Sequence, residues 1–389
     1  MCNSLRFAHK TMIFAILAAF VLVSAGTALA QTAEAPGSAP MAPAGLSMPI
    51  FIDYPVPKQV VLCGEKLPLN NRDVYERLDM ELTIAAYAHA QVFLWFKRAG
   101  RYFPHIERRL AEEGMPDDLK YLAVAESDLR DYVSSPARAC GTWQFMPSTG
   151  TIYGLRRDKE FDDRYNFYWS TEAAIKYLKR LKGMFGTWSL AMAAYNCGEG
   201  RVADAIKEQG VRDYYQLNLP YETERYVLRI AAIKIIMENP EKFGFQIAGD
   251  RAYKPIPTDM VAVNLSQPVH FTDAARSAGL TYKELKEMNP EIIGDYLPKG
   301  LYTIRVPMGA AKKISAFLGS SKPIPSASAP SVAAATQTRK ADRNVYTVRK
   351  GDTLAGIARS TGVSVNRLKQ LNKISGNQIH PGQRLRLAP

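Results

Sequence analysis

The 389 residues include 50 Lys and Arg against 37 Asp and Glu, for a formal net charge of +13, with four cysteines and five histidines. That length allows two or three domains with buried cores, and the basic balance attracts polyanions without choosing among them. Nucleic acid is set aside by an export signal and by the absence of a basic helix, a zinc-ligand spacing or an aromatic RNA-binding signature.

The export signal comes first in the chain. Arg6 and Lys10 precede the apolar run Met12–Val23, and Ala28-Leu29-Ala30 supplies a small-x-small cleavage pattern before Gln31, so residues 1–30 read as a secretory signal peptide. The apolar run is short for a membrane span of about 20 residues, and Cys2 lies in the basic region rather than at the cleavage point, which speaks against a lipid anchor. Cleavage removes two cations and no acid, lowering the formal charge from +13 to +11. Such a basic exported protein suits an acidic, glycan-rich wall; a peripheral contact with anionic membrane fits the same charge. Residues 31–50 are rich in Ala, Pro, Gly and Ser and read as a disordered leader.

Residues 51–250 read as a mainly helical domain. From Asn71 to Lys97 a long amphipathic helix is expected, with Val74, Leu78, Leu82, Ala85, Ala86 and Ala90 on one side. A second helical run spans His105 to Glu113 and stops at Gly114. Pro116-Asp117-Asp118 then opens an apolar helix whose far end carries Glu126. A carboxylate placed there either closes the helix in solvent or, if buried without a cation, stays protonated near neutrality as a general acid must. A non-periodic loop, Asp128–Gly141, leads to the Trp143–Thr149 segment. Ser170-Thr171-Glu172 looks like the cap of a helix over Ala173–Lys182. Trp188–Ala194 reads as a short buried helix that delivers Tyr195 and Asn196, with Gly198 and Gly200 allowing a tight turn. Gly198 to Ala203 also matches a dinucleotide fingerprint, which fails for want of a preceding strand. Leu219-Pro220 opens the last helix, running to about Met237.

In combination, Glu126-Ser127, Ser135-Pro136, Gln144-Phe145-Met146-Pro147 with Thr149, and Ala194-Tyr195-Asn196-Cys197-Gly198 resemble the goose-type-lysozyme-like lytic transglycosylases, within them most the membrane-bound lytic murein transglycosylase D group, over roughly Leu62–Phe245. The resemblance implies a mainly α, lysozyme-like catalytic domain followed by small α+β (βααβ) LysM modules. It implies Glu126 as the catalytic acid and places Ser135, Gln144, Met146, Thr149, Tyr195 and Asn196 along the glycan groove, with Tyr226 beside it. Met146 could equally be core filler and Ser135 an ordinary turn former. Cys140 and Cys197 fall in motif segments flanking the same cleft, and a disulfide between them is expected, leaving Cys63 unpaired. No cofactor or metal is expected, because neither HExxH nor paired CxxC occurs.

Beyond this domain, residues 258–308 show a βααβ order similar to a degenerate LysM module without its Gly-Asp-Thr loop, a packing adaptor at least as readily as a glycan binder. Residues 319–343 are rich in Ser, Ala and Pro and read as a flexible linker. Residues 344–388 resemble LysM over nearly its whole length, with Gly351, Asp352, Thr353, Ile379 and Pro381 at the glycan-binding loops. The expected chemistry is cleavage of the MurNAc–GlcNAc bond by a lone carboxyl, acid and then base, leaving a 1,6-anhydro end. Two rivals stay open: a lysozyme-like hydrolase using Asp128, Asp131 or Glu199 to position water, and a noncatalytic wall-binding scaffold.

Overall fold

The computed structural model describes residues 52–246 and 251–319, then residues 323–324 and a set of positions between 345 and 387. The expected signal peptide, the leader, nearly all of the linker, and Gly351, Asp352 and Pro381 lie outside the described residues.

A short hairpin, β1 (Val61–Leu62) and β2 (Glu65–Lys66), precedes eight helices. They are α1 (Arg72–Tyr87), α2 (His89–Glu112), α3 (Lys120–Ser127), α4 (Pro147–Ile152), α5 (Phe167–Phe185), α6 (Trp188–Cys197), α7 (Glu199–Gln209) and α8 (Tyr221–Glu238). Helix α8 buries Val227, Leu228, Ile230, Ala231, Ala232, Ile233, Ile235 and Ile236. A helix apolar around its circumference belongs inside a bundle, and α8 contacts α1, α3 and α6. The core around it holds Leu78, Leu82, Ile106, Leu122 and Trp143.

Three expectations are corrected. The helix expected over Asn71–Lys97 is capped by Asn71 but breaks at Ala88, whose φ, ψ of −82°, 51° are not helical. Rings of Tyr54, Tyr87, His89 and Phe245 pack around that bend, and Ala90, beyond it, is exposed. The separate run expected from His105 belongs to α2, which passes through Pro104 without ending. The cap expected at Ser170-Thr171 is instead Asn166, whose side chain accepts from the Trp169 N–H at 3.1 Å. Ser170 and Thr171 sit inside α5 and satisfy their hydroxyls on the carbonyls of Asn166 (2.8 Å) and Phe167 (2.7 Å), the back-bonding that lets a cap-type residue live within a helix.

The βααβ order appears as expected. Strand β3 (Thr258–Leu265) pairs antiparallel with β6 (Gly300–Pro307), placing Val261 opposite Ile304. Between them lie β4 (Val269–His270), α9 (Phe271–Ser277), α10 (Tyr282–Glu287) and β5 (Tyr296–Leu297); α11 (Ala311–Leu318) and β7 (Pro323–Ile324) extend the module. Phe161, from the helical domain, is part of this module's core with Val261, Ile292 and Ile304. Around it the Ile293 N–H donates to the Glu160 carbonyl (2.7 Å) and the Asp162 N–H to the Glu291 carbonyl (2.7 Å). The buried Glu291 carboxylate accepts from Asn166 Nδ2 (2.7 Å) and Arg305 (3.1 Å). The loop between α10 and β6 is thereby committed to the helical domain.

The C-terminal module has its own core of Val348, Leu354, Ile357, Leu368 and Leu385. In it β8 (Val345–Thr347) pairs antiparallel with β9 (Arg384–Arg386), and α12 (Val365–Asn372) holds β9 through Asn372, which accepts from the Arg386 N–H at 2.6 Å.

Phe161→Ala should remove about 3 to 5 kcal/mol, the usual cost of emptying a buried aromatic site. Denaturant unfolding should show that loss, together with faster limited proteolysis between the helical domain and the 258–318 module.

Candidate active site

Glu126 stands at the end of α3, where α3, α6 and α8 converge. The residue keeps a strip of solvent contact, yet its carboxyl is surrounded by protein. Desolvation lifts its pKa to about 7, against the pull of the Tyr226 hydrogen bond and the Arg229 charge, while Glu222 pushes it further up. The hydroxyl of the buried Tyr226, on α8, donates directly to Glu126 Oε1. This leaves Oε2 to carry the proton. Outside Tyr226 a charge network joins α1 to α8: the buried Glu81 accepts from Arg225 and Arg229, and Arg229 also pairs with Glu222 at 2.6 Å.

Immediately after Glu126 the chain turns back through two left-handed residues, Asp128 (φ 55°) and Leu129 (φ 58°). Non-glycine residues hold that conformation only when their surroundings compel it. Here the Asp128 carboxylate accepts from Trp95 Nε1 (2.6 Å) and Gln91 Nε2 (2.8 Å), and Leu129 is buried. The Ser127 hydroxyl donates to the Thr142 carbonyl at 2.8 Å, tying the acid's helix to the opposite wall.

That wall is residues 133–145. Gln144, at φ 45°, donates through Nε2 to the Gly141 carbonyl at 2.8 Å, with its own carbonyl accepting from no described residue. The wall is anchored from behind by Arg164, which is buried, pairs with Asp162 at 2.6 Å and donates to the carbonyls of Arg138 (2.6 Å) and Phe145 (2.9 Å). Gly141 sits at φ 77°, where a Cβ would come within 2.0 Å of the Arg164 carbonyl oxygen, so no larger residue fits. From α6, the Tyr195 hydroxyl donates to the Trp143 carbonyl at 2.8 Å. Its pKa is raised by burial and by the nearby Glu126 charge, so Tyr195 stands beside the acid while holding the wall. Trp143 is itself locked by a hydrogen bond to Thr171 at 2.9 Å.

The other expected site residues divide. Asn196 accepts from the Thr223 hydroxyl at 2.8 Å, linking the end of α6 to α8 three residues before Tyr226. Met146 is exposed at the start of α4, and Thr149 is half-buried within it. Ser135 serves its own turn: its N–H donates to the Ala139 carbonyl (2.8 Å) and its hydroxyl accepts from the Ala139 N–H (3.0 Å). In the C-terminal module Thr353 is exposed and Ile379 packs partly against the small core.

The expected disulfide is corrected, since Cys63, Cys140 and Cys197 are all free thiols. The two motif cysteines face different surroundings. Cys140 lies against the Arg138 carbonyl (3.6 Å) and Tyr165, whereas Cys197 lies by Thr223 and Arg201. Motif adjacency placed both near the cleft but said nothing of where each thiol points. Among the described residues no group of three or more His, Cys, Asp or Glu is placed to hold a metal ion.

Sequence reasoning gave no role to Ser127, Trp143 or Arg164, and only a marginal one to Tyr226. The signal for Arg164 was an arginine beside two acids in a stretch without helical period; for Tyr226 it was an aromatic leading into the apolar stretch of the last helix.

The raised pKa of Glu126 links to stability. Both states are protonated below about pH 4.5; above it the unfolded chain ionises freely while the fold resists, so the native state is penalised increasingly until pH passes about 7. Glu126→Gln removes that penalty. It should stabilise the protein by up to about 3 kcal/mol at pH 8 and by almost nothing at pH 4, as read from denaturant midpoints at the two pH values.

The chain resembles known protein families in three stretches. Residues 103–218 match the transglycosylase SLT domain, residues 258–322 the LysM-like domain of lytic transglycosylase MltD, and residues 346–388 the LysM domain. Among solved structures, the 70 kDa soluble lytic transglycosylase SLT70 of Escherichia coli aligns at 18% identity and a TM-score of 0.30, covering 48% of this chain and 36% of that one. The membrane-bound lytic murein transglycosylase D of Escherichia coli K12 is 35% identical over 330 residues, spanning 82% of this chain and 69% of its own. The chain thus belongs to the family of membrane-bound lytic murein transglycosylase D.

Proposed function

We propose that the protein is an exported peptidoglycan lytic transglycosylase. Glu126 protonates the oxygen joining N-acetylmuramic acid to N-acetylglucosamine. As a carboxylate it then takes the proton from the C6 hydroxyl of the muramic sugar, which closes on C1 and leaves a 1,6-anhydro end. No water enters. The C-terminal LysM module keeps the enzyme on the wall of the cell envelope.

The observation that carries this reading is a desolvated carboxyl with, among the described residues, no unpaired carboxylate beside it; Glu222, whose charge reaches Glu126, is itself paired with Arg229 at 2.6 Å. A pKa of about 7 lets one group act as acid and as base at neutral pH. Hydrolases ordinarily need a partner acid, and each candidate is engaged elsewhere. Asp128 is held by Trp95 and Gln91, and Asp131 accepts from the Tyr102 hydroxyl at 3.1 Å. Glu199 is bound by Tyr177 and Arg180, both at 2.8 Å; although burial opposes it, the Arg180 hydrogen bond holds its carboxyl below the usual range.

Tyr226 positions the acid by fixing Oε1 and turning Oε2 to the scissile oxygen. The free carbonyl of Gln144 and the exposed Met146 offer a polar and an apolar contact to the sugars. Tyr195 and Asn196 act indirectly, the first by setting the Trp143 wall and the second by bracing Thr223.

Mass spectrometry of digested sacculi tests the reading: the products should be lighter by one water than reducing-end muropeptides, and Glu126→Gln should lower the rate about a thousandfold, within the span of general acid–base catalysis. Reducing-end products would mark a hydrolase, and unchanged lysis in Glu126→Gln a different acid. In Tyr226→Phe the carboxylate loses a donor, so the Glu126 pKa should rise and the alkaline limb of the rate profile should move to higher pH, with a lower maximal rate from the looser acid.

A further inference from the structure

A second cavity, of about 880 Å³, opens between the helical domain and the 258–318 module, away from the reactions assigned to Glu126. It begins where the chain leaves α3, at Leu129–Tyr132, and its far wall is α10 and β6. Its shape is fixed by the docked module: besides the Phe161 and Glu291 contacts, the segment after residue 250 lies on α2, with the Tyr253 N–H donating to the Lys97 carbonyl at 2.8 Å. Gly100 permits that approach, since a Cβ there would meet Ala252 at 2.8 Å.

Five cations line the cavity: Arg98, Arg101, Arg130, Lys286 and Arg305. Three of them are answered locally. Arg130 pairs with Asp128 (3.3 Å), Arg305 with Glu291 (3.1 Å), and the Lys286 amine meets the carbonyls of Ile292 and Gly294. Arg98 and Arg101 are held less fully, each by one backbone carbonyl. Among the described residues neither has a carboxylate within ion-pair distance. Their hydrogen bonds run to backbone carbonyls, of Asp128 (3.1 Å) and Lys254 (3.2 Å). Three apart on α2, they share a face, and the backbone contacts hold both guanidinia in place beside the 69% exposed Tyr132 and the ring of Tyr253, 5.4 Å from Arg101. Of the cavity's own carboxylates, Asp131 accepts from Tyr102 and its charge reaches Arg101 and Arg305 without making an ion pair with Arg101, while Glu284 and Glu287 stand on the opposite, α10 side.

We infer that this cavity is a second binding site, for the carboxylates of the peptide stems carried by the glycan. The inference rests on peptidoglycan being the substrate. Two pinned guanidinia match carboxylates bidentately, and a neutral sugar would leave them unanswered in a concave site. The tyrosine faces suit peptide planes and aliphatic side chains. On the α10 side, the exposed carboxylates of Glu284 and Glu287, the first shared with its own helix cap and the second with Lys283, complement the free amine of a diamino acid in the same stem. A deep cavity walled on both sides favours a single extended peptide over a membrane surface.

The test is titration calorimetry on the full chain with the stem tripeptide Ala-γ-Glu-diaminopimelate, which contains no glycosidic bond. The parent should bind it, the Arg98→Gln/Arg101→Gln double variant should bind about tenfold more weakly, and Tyr132→Ala, whose exposed ring leaves the fold untouched, several-fold more weakly. Anionic phosphatidylglycerol vesicles should show no dependence on these residues. Absence of tripeptide binding by the parent, equal affinity in all three proteins, or loss of vesicle binding alone in the variants overturns the site. Because the probe cannot be cleaved, binding with no anhydro products from sacculi would overturn the proposed reaction and leave this site standing.

Discussion

The Tyr226 hydroxyl and the Glu126 carboxyl meet where three helices converge, and this contact answers two opposed demands. Burial drives the carboxyl toward its neutral form, as needed for giving a proton to a sugar oxygen. The tyrosine donor draws it back toward the ionised form, as needed for taking a proton up again. Neither alone would serve the acid-then-base role proposed for Glu126. The balance requires α8 to be buried over most of its surface, so that Tyr226 is excluded from water. It also requires the charges Arg229 and Glu222 to stay at the edge of the site, engaged with one another.

The rest of the helical domain can be understood as holding two short segments against that contact. One is the exit from α3, where Asp128 and Leu129 adopt a backbone that only their side-chain anchors make tolerable. The other is the 133–145 wall, pinned from four directions by Ser127, Tyr195, Thr171 through Trp143, and Arg164. Breaking the buried Arg164–Asp162 pair by removing one partner would leave an unanswered charge, at a cost of about 3 to 5 kcal/mol. Arg164 therefore acts on the site without approaching it. The same short stretch, residues 160–166, also carries the docking of the next module through Phe161 and Asn166, so wall and module share one foundation.

Much of this was legible in the chain. The end of an apolar helix left Glu126 open between a cap and an acid until its motif neighbours pointed to the acid, the βααβ order marked the 258–308 module, and the run Trp188–Ala194 marked the helix that in fact includes Tyr195. What was not legible had local causes. The bend at Ala88 depends on rings from Tyr54 and Phe245, distant in sequence, and no local propensity announces it. The run read from His105 starts one residue after Pro104, and α2 continues through that proline. Ser170 and Thr171 look like caps because their hydroxyl oxygens can accept from backbone N–H groups, whereas within α5 those hydroxyls instead donate to carbonyls. The cysteines were placed by motif adjacency, which locates a backbone but not a thiol. Tyr226 could only be ranked once α3 and α8 were in contact, because its partner lies 100 residues away.

Site-specific carbon-13 labelling of the Glu126 carboxyl, followed by NMR titration of the full chain, measures the balance directly. The account predicts a midpoint near 7 that moves upward when the Tyr226 hydroxyl is removed. A midpoint near the ordinary 4.5 of a glutamate, unmoved by Tyr226→Phe, would contradict it.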